Sequence, residues 1–214
     1  MDELTQSLHI QFDELSPQLD FEVSETQKRQ LIEFVLLLHK WNKAYNLSSV
    51  RKPSEMLIKH IFDSIVVSPY LTGSHIADVG TGPGLPGIPL AIMCPHKTFT
   101  LIDSLGKRVV FMKQAIHALG LKNVSPIQSR VEDITPQKYF DLVLSRAFAS
   151  LNDMLRWCSH LLDDDGQFLA LKGQLHQQEL NEIPVHFTLV QSIPLLIPSL
   201  EGERHLVLLK KNVQ

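Results

Sequence analysis

The chain has 214 residues, of which 44% are hydrophobic and 20% charged, with 12 Pro, 10 Gly and 2 Cys. That composition excludes disorder, a collagen-like repeat and a disulfide scaffold, and the length suits one full α/β unit with a small appendage. The net charge of −3 argues at first against a nucleic-acid partner, but the charge is unevenly distributed. Residues 1–26 hold seven acids (Asp2, Glu3, Asp13, Glu14, Asp20, Glu22, Glu25) and no Lys or Arg, so the remainder carries an excess of four positive charges. A mildly basic body can hold a phosphate-contacting face, although an ordinary solvated surface behind an acidic helix fits the same numbers. The uncharged stretches at 65–76 and 81–95 are studded with Pro, Gly and Ser, and neither supplies the ~20 apolar residues of a membrane span. Met1-Asp2-Glu3 lacks the basic flank and apolar core of a secretion signal. Cys94 and Cys158 stand far apart with no motif between them, which fits a reducing compartment. A cytoplasmic protein is expected.

The first third reads as helix. A weak helical pattern covers residues 3–15. Ser24-Glu25-Thr26-Gln27 then has the capping-box arrangement, a hydroxyl at the N-cap and Gln three residues on. Leu31, Phe34, Val35, Leu38, Trp41 and Tyr45 follow at helical spacing and form one apolar stripe, with Trp41 and Tyr45 assigned to the helical core. Pro53 opens another helix, where its missing N–H is harmless, running to about Val67. From Ser74 the pattern changes to short strands at 76–79, 99–102, 124–128, 140–144 and 167–171, alternating with helices near 86–93, 107–119 and 151–162. Strand–helix alternation implies a parallel sheet with right-handed crossovers. The last two strands, at 187–193 and 205–209, are separated by a turn-rich stretch and predict an antiparallel hairpin at one sheet edge. The domain division expected is a helical extension at 1–70 and an α/β domain at 71–214.

The most informative segment is Asp78-Val79-Gly80-Thr81-Gly82-Pro83-Gly84-Leu85-Pro86-Gly87, which follows a strand and opens a helix. Gly82, Gly84 and Gly87 match the dinucleotide fingerprint as a bare pattern, yet two details turn the loop away from a dinucleotide. A pyrophosphate needs backbone N–H donors at the helix start, and Pro83 and Pro86 delete two of them. Asp78 sets a carboxylate beside the loop that repels phosphate and welcomes a cationic or zwitterionic ligand such as S-adenosylmethionine. Asp103 closes the second strand 19 residues after Gly84, near the spacing at which a carboxylate meets ribose hydroxyls. After the third strand, Arg130-Val131-Glu132-Asp133 offers a backbone N–H and an acceptor to an adenine edge. Each feature alone has a plainer reading, as a tight βα turn, a helix N-cap or a solvated turn.

With these motifs the chain resembles class I S-adenosylmethionine-dependent methyltransferases, and more narrowly the RsmG/GidB family of bacterial 16S rRNA methyltransferases. The stretches that carry the resemblance are Trp41–Leu47, His60–Ser64, Asp78–Pro89, Asp103–Arg108, Ser145-Arg146-Ala147-Phe148-Ala149, Leu171-Lys172-Gly173 and Gly202–His205. The resemblance implies methyl transfer to N7 of one guanosine in the decoding-region loop of 16S rRNA. It also implies a Rossmann-like, seven-stranded, mostly parallel α/β sheet with its last strand antiparallel, behind a helical N-terminal extension. By position it places Gly80, Leu85, Val131, Glu132 and Arg146 against the cofactor. Together with the loop reading, the candidate cofactor residues are Asp78, Gly80, Gly82, Gly84, Leu85, Asp103, Val131, Glu132 and Arg146. The partner is 16S rRNA or the small ribosomal subunit, without a membrane, and a monomer is expected.

Guanine N7 has an in-plane lone pair and no proton to remove, so no general base is expected, only positioning and favourable dipoles around a purine that becomes cationic. Ser145-Arg146-Ala147-Phe148 stands where an adenine-N6 or cytosine-N4 enzyme shows Asp/Asn-Pro-Pro-aromatic. Neither cysteine has the context of a cytosine-C5 nucleophile, and both read as buried structural thiols. Arg146, at a central strand end, is a candidate clamp for the cofactor carboxylate or an RNA phosphate, or a plain surface cation. Phe148 stacks on a base or packs in the core. His60 and Asp63 are three apart and share a helix face, where they pair together or line the guanosine pocket. With no further His or Cys at ligand spacing, no metal is expected. Lys107, Arg108, Arg130, Lys172 and Arg204 are candidates for RNA contact. A small-molecule methyltransferase and a non-catalytic cofactor-fold protein remain as alternatives, while Pro83, Pro86 and Asp78 disfavour a nicotinamide oxidoreductase.

Overall fold

The computed structural model describes residues 2–146 and 148–212; Ala147, within one of the stretches quoted above, lies outside the described residues. Seven strands, β1 (His75–Val79), β2 (Thr98–Asp103), β3 (Val124–Gln128), β4 (Phe140–Ser145), β5 (Leu162–Lys172), β6 (Phe187–Pro194) and β7 (His205–Lys211), form one sheet in the order β3-β2-β1-β4-β5-β7-β6. The last strand, β7, runs antiparallel to both β5 and β6 and lies between them. The β6–β7 pair is the antiparallel hairpin that the sequence predicts, with β6 at the edge. From β1 the chain steps outward through β2 and β3, then returns to the other side of β1 with β4. The ends of β1 and β4 thus flank the switch point, where open α/β sheets bind ligands.

Both faces of the sheet are covered, as parallel strands require. Alternate residues divide between two cores: Ile76, Leu101, Leu142 and Leu144 face one, while Ala77, Val79, Ile102 and Val143 face the other. The first core receives α5 (Gly87–Met93), α6 (Gly106–Ala118) and the N-terminal helices α1 (Glu3–Leu15) and α2 (Glu25–Tyr45). The second receives α7 (Leu151–Cys158), with α8 (Gln177–Asn181) beyond it. One apolar cluster runs from Leu8 and Phe12 through Leu31 and Leu38 to Phe111 and Leu144, so it continues across residue 70.

Helix α2 is set by its start. Ser24 accepts from Gln27 N–H, and Gln27 Oε1 accepts from Ser24 N–H at 2.9 Å, closing the capping box. Gln27 Nε2 also donates to the carbonyls of Ile92 and Met93, at 3.3 and 3.2 Å, in the last turn of α5. Two departures from the sequence reading occur in this third. Tyr45 is 46% exposed rather than in the core, its ring stacked on Trp41 with centroids 5.1 Å apart beyond the end of the packed stripe. The Pro53 segment is not one α-helix: α3 (Pro53–Met56) leads into a π-helical stretch, Leu57–Phe62, before α4 (Asp63–Ile65). Among the described residues, no helix is long and apolar enough to cross a membrane.

Gln27 serves both the capping box and the strap to α5. Gln27→Ala is expected to lower unfolding stability by about 2 kcal/mol, against about 1 kcal/mol for Ser24→Ala, in urea denaturation. Equal losses would show that the bonds to Ile92 and Met93 contribute nothing.

Candidate active site

The loop between β1 and α5 is folded around Asp78. This side chain is completely buried, and its Oδ2 accepts from Thr81 Oγ1 at 2.6 Å and Gly87 N–H at 2.8 Å. Burial, opposed by those two bonds, pushes its pKa up to about 6. Gly87 has no room for a side chain, since a β-carbon there would lie 2.2 Å from Leu101 Cδ2 and 2.7 Å from Asp78 Oδ2. Gly80, Gly82 and Gly84 adopt φ of 69°, 61° and 91°, which L side chains rarely take.

The amides of this loop are all engaged within the protein. Gly80 and Thr81 N–H donate to the Ile102 carbonyl, Gly84 and Leu85 N–H to the Thr81 carbonyl, Gly82 N–H to Asp103 Oδ2 and Gly87 N–H to Asp78. Pro83 and Pro86 have none to offer. No N–H cradle is left for a pyrophosphate, so the loop suits a ligand without phosphate at this position.

A crevice of about 390 Å³ opens beside the loop, walled by Gly80, Asp103, Leu105, Arg108, Val131, Glu132 and, opposite, Phe148 and Trp157. Asp103 is 3% exposed. Its Oδ2 accepts from Gly82 N–H at 2.9 Å and Arg108 Nη1 at 3.1 Å, and its Oδ1 from Leu105 N–H at 2.9 Å. A carboxylate has about four lone-pair sites, so a pair of ribose hydroxyls would compete with one of these donors. Arg108 is the side chain able to move, being partly exposed with its Nε buried and without a partner among the described residues.

A second crevice, of about 480 Å³, lies on the other side of the β4 end and shares no wall residue with the first. Lys59, His60, Asp63, Arg146, Lys172, Arg204 and His205 line it. The π-helical stretch carries His60, and Asp63 follows at the start of α4; both reach this wall. Asp63, 4% exposed, accepts from Arg146 Nη1 at 3.0 Å through Oδ2 and from Arg204 Nε at 2.9 Å through Oδ1. His60 does not pair with Asp63. Its Nδ1–H donates to the Lys59 carbonyl at 3.0 Å, because a carbonyl can only accept, and its Nε2 then accepts from the Ser48 hydroxyl at 2.7 Å. Burial, reinforced by Arg146, lowers the His60 pKa to about 4, so the ring is neutral at pH 7.

Residues 27–207 match the family model described as rRNA small subunit methyltransferase G. The chain belongs to this family. The ribosomal RNA small subunit methyltransferase G of Aliivibrio fischeri is 63% identical over 203 residues, 94% of this chain and 97% of that protein. The protein of the same name from Alteromonas mediterranea is 58% identical over 208 residues, 97% of this chain and 99% of its own length. A solved mitomycin 7-O-methyltransferase superposes with a TM-score of 0.60 at 15% identity, over 84% of this chain and 60% of its own, a likeness of fold alone. The sheet is therefore the Rossmann-like class I methyltransferase fold.

In this member of the methyltransferase G family, Gly80, Asp103, Val131 and Glu132 come together on the first crevice. Asp78, Gly84 and Leu85 lie beneath or within the loop and shape it, rather than forming the wall, and Arg146 stands on the second crevice instead of the first. The basic candidates have separate places. Lys107 Nζ donates to the Tyr45 carbonyl at 2.9 Å, and Lys172 is held by Glu179 at 2.8 Å and by the Ala149 carbonyl at 3.0 Å. Arg108 and Arg130 line the first crevice, Arg204 the second. Both cysteines are buried, and burial pushes the Cys158 thiol up to about 12, far from a nucleophile. Sequence reasoning missed Trp157, which meets Phe148 edge-on with centroids 5.8 Å apart. No local pattern in the sequence marks it, because its 41% exposure and its contact with Phe148 are tertiary properties.

The neutral His60 carries a pH signature. Its folded pKa lies below the ordinary 6.5, so as pH falls the unfolded chain takes the proton first. Stability is lost between about pH 6.5 and pH 4, by up to roughly 3 kcal/mol. Asp78 has the opposite sign, since its raised pKa gives stability below pH 4 that is lost as pH rises through about 6. The two partly cancel in the wild-type profile. The stability difference between wild type and His60→Asn isolates the histidine, and urea titrations should find wild type losing its advantage steadily from pH 7 to pH 4. A constant difference would mean that His60 titrates normally.

Proposed function

We propose that this chain transfers a methyl group from S-adenosylmethionine to N7 of one guanosine in 16S rRNA, in the decoding-region loop of the small ribosomal subunit. The observation that carries the cofactor reading is the fully engaged glycine loop beside Asp103. It offers a phosphate nothing, while a carboxylate stands at the strand end where ribose hydroxyls are met. The names of the relatives support rRNA as the acceptor. The cofactor supplies a methyl group on a sulfonium, already activated for attack by a lone pair.

The residues fit that task by what they hold in place. Asp103 receives the ribose hydroxyls after Arg108 yields, Val131 and Glu132 face the adenine edge, and Phe148 with Trp157 gives an apolar wall. Guanine N7 needs no base to remove a proton, and His60, engaged at both nitrogens, is not poised to act as one. Catalysis then rests on alignment and on dipoles that favour the cationic product. Residues 1–70 form a helical extension of the catalytic body at 71–214, and the protein works as a cytoplasmic monomer on the subunit or its rRNA.

Incubation with tritiated methyl donor and small subunits lacking the modification tests this directly. Nuclease digestion and mass spectrometry should place the label on N7 of a single guanosine, and label elsewhere would overturn the assignment. Asp103→Ala should weaken cofactor binding about tenfold or more in titration calorimetry, because the ribose loses its charged acceptor. Unchanged affinity would remove Asp103 from the site. RNA binding should also fall steeply between 50 and 200 mM salt, in contrast to turnover of a small neutral acceptor.

A further inference from the structure

A ladder of four aromatic rings leads from the core to the surface at the end of α2. Phe34 and Phe111, both fully buried, have ring centroids 6.0 Å apart. Trp41 meets Phe111 edge-on at 5.7 Å, and Tyr45 stacks on Trp41 at 5.1 Å with 29° between the ring planes. The last ring is 46% exposed. Methyl transfer at N7 makes no use of it. Two exposed cations are tied to the same helix end. Arg51 donates to the Asn42 carbonyl at 3.2 Å and to Asn46 Oδ1 at 2.8 Å, and Lys107 Nζ donates to the Tyr45 carbonyl at 2.9 Å. Residues 34–54 carry four Lys or Arg and no acid. The next acid, Glu55, pairs with Lys59 at 3.0 Å. Among the described residues, no ion pair joins Arg51 or Lys107 to a carboxylate.

We infer that this helix end is a docking surface for an unpaired nucleotide of the RNA, in which a base stacks on Tyr45 while Arg51 and Lys107 meet the adjoining phosphates. The inference rests on RNA being the substrate. The ring is pre-organised, because Trp41 holds it and Phe111 holds Trp41. Every base has a π face, and single-stranded loops present those faces where a duplex stacks them away. Charge selects the partner. A second copy docking through this face would bring like charges together, and an apolar partner would strand them, whereas a polyanion satisfies both. Both cations also meet carbonyls at the negative end of the α2 dipole. That role leaves donors over: an ammonium has three N–H groups, and Lys107 gives one to the Tyr45 carbonyl.

The surface is placed for a neighbour of the target rather than for the target itself. Leu105 and Arg108, on either side of Lys107 in the chain, wall the first crevice. Asn42 Nδ2 donates to the Val50 carbonyl at 2.9 Å, and Val50 lines the second crevice. The end of α2 is thus fastened to the rim of both. A nucleotide held on Tyr45 leaves the crevices themselves open.

The test uses the full-length protein and a synthetic hairpin spanning the target loop, with a single abasic residue placed at each unpaired position in turn. Tyr45→Ala should weaken binding of the intact hairpin about tenfold, while Tyr45→Phe and Tyr45→Trp stay within about twofold of wild type. One abasic position other than the target should cost wild type about tenfold. The same position should cost Tyr45→Ala nothing more, because ring and base form a single contact. Salt dependence should be the same in Tyr45→Ala as in wild type, and its slope should fall by about 0.7 in Lys107→Gln. Cofactor affinity should stay within about twofold throughout. Unchanged RNA affinity in Tyr45→Ala overturns the inference. An equal loss in Tyr45→Phe, a loss of cofactor affinity alongside the RNA loss, or a dimer in sedimentation that Tyr45→Ala breaks would each do the same. The wild-type methylation assay separates the two levels. If 16S rRNA takes no methyl group, the rRNA reading and this surface fall together, whereas a Tyr45→Ala protein that binds RNA like wild type leaves methylation standing.

Discussion

A buried carboxylate holds the first crevice in shape. Burial outweighs the more distant charge of Arg146, and among the described residues Asp78 pairs with no cation. It persists because the bend after β1 turns the Thr81 hydroxyl and the Gly87 N–H onto it, and because glycine at 87 lets helix α5 approach to hydrogen-bond distance. That approach fixes the start of α5 against β2, and with it the path of residues 80–86. The remaining amides then find acceptors on Ile102, Thr81 and Asp103. The chemical selectivity of the loop follows from this internal saturation, because a backbone that has already satisfied itself offers no cradle to an anion.

Two carboxylates, one closing β2 and one opening α4, organise the two crevices in different ways. Asp103 is surrounded by backbone donors and one displaceable arginine, so its environment can be exchanged for a ligand's hydroxyls. Asp63 is bound by two arginines from distant parts of the chain and acts as a fixed joint. On the proposed reading the first accommodates the donor molecule, and the second lies across the β4 exit from it. A reaction that needs no proton abstracted can rely on this division, since its rate depends on how well the two partners are aligned.

Much of the architecture is legible in the sequence because its signals are local. The capping box at Ser24, the glycine–proline loop and the strand–helix rhythm each occupy a few consecutive residues and recur in the structure. The position of Asp103 at a strand end follows from the same rhythm. What is not legible depends on distant partners or on helix type. His60 and Asp63, three apart, read as one face of an α-helix; they share a wall, but a π-helical stretch ends between them and each bonds a different neighbour. No local pattern announces that Arg204 will reach Asp63. Tyr45 continues the apolar stripe of α2 in the sequence, but the core ends one turn earlier, at Trp41. The two prolines reveal only part of the loop's lack of donors; the rest depends on tertiary acceptors.

The placement of β7 has a consequence for biogenesis. Among the described residues β6 pairs only with β7, and β7 must slot between β6 and β5. On an emerging polypeptide, β6 leaves the exit tunnel with no edge to join, and the sheet is zipped shut only when the final strand arrives. Arg204 comes with that strand, so the double-arginine joint is assembled last. A nascent chain stalled before this point would have its glycine loop in place but an incomplete second crevice, which Arg204 and His205 help to line.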